Sequence, residues 1–194
     1  MRSTRLVLSC AALLAAVPHA AAAQQAAEQS LVSLFMEACT GEGQIGDAVL
    51  AHISELTDWT EVPDVTVDVA AMAQVPNQLM PQTAFRQPES VRQWQRTVEG
   101  KQVSLVFATF PQGSVHRNVC AIVVPEVRNA GVYLPSLREA LTPMSMSARF
   151  TDLPHYQEFA GRTRDMRRVR AEIFTRSRAL PTGRNTMHLY IAFD

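Results

Sequence analysis

Cys39 and Cys120 constrain this chain more than any other pair of residues, because of what precedes them. Arg2 and Arg5 make a short positive region, and Leu6 to Val17 is a 12-residue apolar run. Pro18 breaks the run, and Ala20 to Ala23 supplies the small residues that a signal peptidase reads. Ala21 and Ala23 fit the A-x-A pair, which puts cleavage between Ala23 and Gln24. The expected signal, residues 1–23, carries Cys10 away. The two remaining cysteines then enter an oxidising compartment, where they have one intramolecular pairing. A Cys39–Cys120 bridge would close a loop of about 80 residues, for which chain-entropy arithmetic gives roughly 4 to 4.5 kcal/mol. A redox-active pair is the alternative, but the C-x-x-C spacing that helps depress a thiol pKa is missing.

Two other readings of the N-terminus are weaker. Twelve apolar residues fall short of the roughly 20 that a spanning helix needs, so no transmembrane segment is expected in the mature chain. Val7-Leu8-Ser9-Cys10 faintly resembles a lipobox, yet the apolar run continues beyond Cys10 where a lipoprotein turns polar. The expected location is therefore periplasmic or secreted.

Removing 23 of the 194 residues leaves 171, enough for one domain with a proper core. The mature chain has 16 basic and 18 acidic residues, a net charge of −2, so no global field favours nucleic acid. Placement is uneven. Residues 24–85 hold nine acids and no Lys or Arg, whereas Arg149 to Arg184 holds nine Arg against four acids. The simplest reading is mutual neutralisation within the fold. The sharper one is a basic face for anionic lipid, envelope glycan or an acidic protein patch.

Periodicity gives the elements. Leu31, Leu34, Phe35 and Ala38 form one apolar stripe of a helix over Ser30–Thr40, with Cys39 on the same side. Gly41 and Gly43 end it. A second helix runs from Asp47 to about Leu56, with Val49, Ile53 and Leu56 inward. Trp59 to Pro63 reads as a connector and Asp64 to Gln74 as a short third helix. Val75 to Ser90, with Pro76, Pro81 and Pro88, reads as a loop of the length that is often functional.

Strands are expected at Val91–Val98, Gln102–Phe110 and Val119–Val124, the last two apolar on both faces and therefore central. Glu99-Gly100-Lys101 is a hairpin turn. Pro135 suits the first turn of a helix ending at Leu141. A short strand at Ser145–Phe150 and a hairpin of Val169–Arg176 with Met187–Phe193 follow. Asp152 to Arg164 carries no clear period.

The expected fold is thus α+β. N-terminal helices are followed by an antiparallel sheet of about five strands with a crossing helix, β-β-β-α-β-β, on a profilin or PAS-like plan. A single domain spans 24–194: a helical layer over 24–75, a Pro-containing loop over 76–90 and a sheet-rich part over 91–194.

Phe35-x-x-x-Cys39 on an early helix, with Cys120 on a Val/Ala-rich strand, resembles a group of small exported α+β proteins of Gram-negative bacteria. The resemblance implies compartment and disulfide, and no activity.

Chemical motifs are sparse. His52, His116, His155 and His188 show no H-x-H or H-x-x-x-H spacing. There is no nucleophile elbow, and no glycine-rich phosphate loop. No catalytic, metal or cofactor residue is assigned and no cofactor is expected. One loop, Gly113 to Asn118, gathers polar groups. His116, Arg117 and Asn118 could present a small anionic ligand, with Arg117 as a bidentate donor, or form a solvated turn beside the bridge.

The residues therefore favour a non-enzymatic envelope module that binds an envelope protein or a small ligand through its sheet or the Val75–Ser90 loop. The competing readings are a small hydrolase or redox enzyme using His116, Arg117 and nearby acids, and an assembly component held by its charged surfaces.

Overall fold

The computed structural model describes residues 31–41, 47–67, 87–111, 118–127, 129–153, 156–162, 168–176 and 186–193. Helix α1 covers 31–40 and α2 covers Asp47–Glu55. Four strands follow: β1 (Thr60–Val62), β2 (Ser90–Val98), β3 (Lys101–Thr109) and β4 (Asn118–Pro125). Helix α3 (Leu134–Leu141) lies between two short 3-10 turns, and β5 (Ser147–Leu153), β6 (Tyr156–Arg162), β7 (Arg168–Arg176) and β8 (Thr186–Phe193) follow.

The eight strands among the described residues join one sheet in the order β1-β2-β3-β4-β8-β7-β6-β5, with every neighbouring pair antiparallel. The sheet is two four-stranded meanders that meet where β4 pairs with β8. The connection through α3 carries the chain from the middle of the sheet to its far edge, four strand spacings or about 19 Å away. β5 to β8 then return inward, so the last strand lies at the centre of the sheet.

The α+β class and the antiparallel sheet agree with the sequence reading, but eight strands replace the five or so expected. Thr60–Val62, read as a connector, is a three-residue edge strand, too short to show a period. Tyr156–Arg162 was hidden by Gln157 and Glu158, two polar residues that are buried in the fold. Residues 64–67 are not helical; the rest of the helix expected over Asp64–Gln74 lies outside the described residues. Ser145 precedes β5 instead of opening it, in a left-handed conformation with φ 55°.

The helical stripe reads as expected. Leu31, Leu34, Phe35, Ala38 and Cys39 of α1 are all buried, as are Val49 and Ile53 of α2. They pack, with Leu137 and Leu141 of α3, on one face of the sheet through Trp94, Leu105, Phe107, Ile122, Leu189 and Ile191. Pro135 sits in the first turn of α3, where its missing N–H costs no helical hydrogen bond. Asn129 starts the preceding 3-10 turn by accepting from the Gly131 amide at 2.8 Å.

The β2–β3 hairpin closes through two residues, with Val98 opposite Lys101. Glu99 and Gly100 have φ 50° and 76°, the pair of positive values that a type I′ turn needs to match strand twist.

Candidate functional site: the second face of the sheet

Cys39 and Cys120 form a disulfide with a Cα separation of 5.5 Å across 81 residues of sequence. Helical periodicity turns Cys39 towards the sheet, and strand alternation puts Cys120 on the helix-covered face of β4, opposite Phe107 and Ile191. Both residues are fully buried. A reductant reaches such a bond only when the helical layer opens, so this bridge is a staple between α1 and the centre of the sheet.

Of the ligand-loop residues, His116 and Arg117 lie outside the described residues. Asn118 is the first residue of β4 and is buried. Its Oδ1 accepts from the Thr109 hydroxyl at 3.2 Å, across the rung where the two residues are register partners. Asn118 thus ties β3 to β4. Trp59 and Trp94 are both buried core residues.

The acidic N-terminal part meets its counter-charges on β2. Glu61 of β1 receives two hydrogen bonds from the Arg92 guanidinium at 2.7 and 2.8 Å, a bidentate clamp of one edge strand on its neighbour. Arg92 also stacks over the Trp94 ring at 4.9 Å. The hydrogen bond from Arg92 holds the Glu61 carboxyl below its ordinary value, and the same bond raises Arg92. Arg96 pairs with Asp58 at 3.2 Å. The arginines of β6 and β7 lie at the other end of the sheet. β7 is five strand spacings from β1, about 24 Å.

The face of the sheet away from the helices divides in two. Where β3, β4 and β8 meet it holds a buried apolar cluster, with Val106, Ala108, Ala121, Val123 and Ala192 packed together beside Val67. Gln93 of β2, fully buried, fixes the chain there. Its Oε1 accepts from the amides of Thr66 and Val67 at 2.9 and 3.2 Å, and its Nε2 donates to Ser104 Oγ at 3.2 Å. The chain leaving β1 therefore crosses the sheet edge onto the second face. Nothing in the local sequence marks Gln93; its role appears only once the register sets it opposite Val106 and next to the buried row.

On β5, β6 and β7 the second-face register positions include several charged residues. The register sets Arg162 opposite Arg168, Arg149 opposite Glu158, Glu158 opposite Glu172, and Arg170 between Ala160 and Ala192. Ser147 and Arg162 are exposed, and Ala160 and Arg170 are half-buried. Arg149 and Arg162 share this face with Arg168 and Arg170 only through the register of β6, a strand that carries no clear period in the sequence.

Among the described residues, no group of three or more His, Cys, Asp or Glu side chains could hold a metal ion. No helix among them is long and apolar enough to cross a membrane. No known protein family, curated protein or solved structure matches this chain.

Proposed function

We propose that this chain is an exported envelope module that binds a partner through the second face of its sheet and carries out no reaction of its own. The observation that carries this reading is the asymmetry of the sheet. Helices and the disulfide cover one face, while the β6–β7 part of the other carries the exposed Arg162 and the half-buried Arg170 on paired strands. Rigid strands hold side chains at fixed spacing, so little ordering entropy is lost on binding. The buried disulfide supports an oxidising location, as does the signal-like N-terminus. Periplasm is the compartment we favour.

Site-specific photocrosslinking tests this reading. A crosslinking residue is placed at position 162 on the second face, or at Arg138, which is exposed on α3 of the helical side. Adducts in the intact envelope from position 162 and none from position 138 are expected. Equal adducts from both positions, or none from either, would contradict the assignment.

A further inference from the structure

We draw no further inference here: the strongest candidate, the apolar patch where β3, β4 and β8 meet on the second face of the sheet, with its half-buried rim of Val91, Phe110 and Val119, carries nothing because nothing among the described residues shows what covers it.

Discussion

Gly41 and His52 show how one residue without a side chain can set the joint between two helices. The His52 Nε2 donates to the Glu37 carbonyl at 2.8 Å, which lays the imidazole across the end of α1. A Cβ at Gly41 would fall 2.6 Å from His52 Cδ2 and 2.8 Å from Nε2. Gly41→Ala should therefore destabilise the protein by about 1–2 kcal/mol through overpacking. In a His52→Ala background the same change should cost much less, and denaturation of the four proteins of the double-mutant cycle measures the difference. The Glu61–Arg92 clamp makes a second prediction, in pH. Because the folded protein holds the Glu61 carboxyl below its unfolded value, its contribution is complete above the unfolded value of about 4.3 and fades as pH falls through the folded one. Glu61→Gln should lower the urea midpoint slightly at pH 7, and the gap from wild type should close in acid. The effect is small because both partners are open to solvent, with side-chain exposures of 39 % for Arg92 and 46 % for Glu61.

At the level of elements, the sheet is held on its second face by a side chain that strand alternation alone would class as solvated. Gln93 satisfies two backbone amides from the crossing at Thr66–Val67 and bonds to Ser104. Gln93→Leu would leave those amides without their acceptor, at a cost of roughly 2–3 kcal/mol. The amides of Thr66 and Val67 should then exchange with deuterium far faster than those of β3. What was legible from sequence divides along the same physical line. α1, α2, α3, β2, β3, β4, β7 and β8 announce themselves because their apolar residues repeat at the period of the element and end in the core. β1 is set by its pairing with β2, and β6 by its place between β5 and β7, neither of which leaves a local pattern. Gln157 on the helix-facing side of β6 is buried, and its Nε2 donates to the Glu158 carbonyl at 3.0 Å, so burial there is polar. The candidate site shared that difficulty, since the arginine face is complete only when β6 is placed between β5 and β7.

Across the whole molecule, two meanders meet at β4–β8, and the disulfide fixes the helical layer to β4. Both sheet edges are unsuited to further pairing. β1 is three residues long and carries charged Glu61, and β5 has a register shift between Arg149 and Leu153. This favours binding across a face over strand addition at an edge. The staple also makes a prediction about stability. Replacing both cysteines with alanine should remove about 2–5 kcal/mol, close to the roughly 4.5 kcal/mol that chain entropy assigns to a loop of this length. Urea unfolding of the oxidised protein and the double variant gives the number. The most direct measurement is therefore the intact mass of the protein recovered from the cell envelope, with thiols alkylated before and after reduction. The account predicts a chain that begins at Gln24 and takes up two alkyl groups only after denaturing reduction. A chain that retains residues 1–23, or thiols that alkylate without reduction, would contradict it.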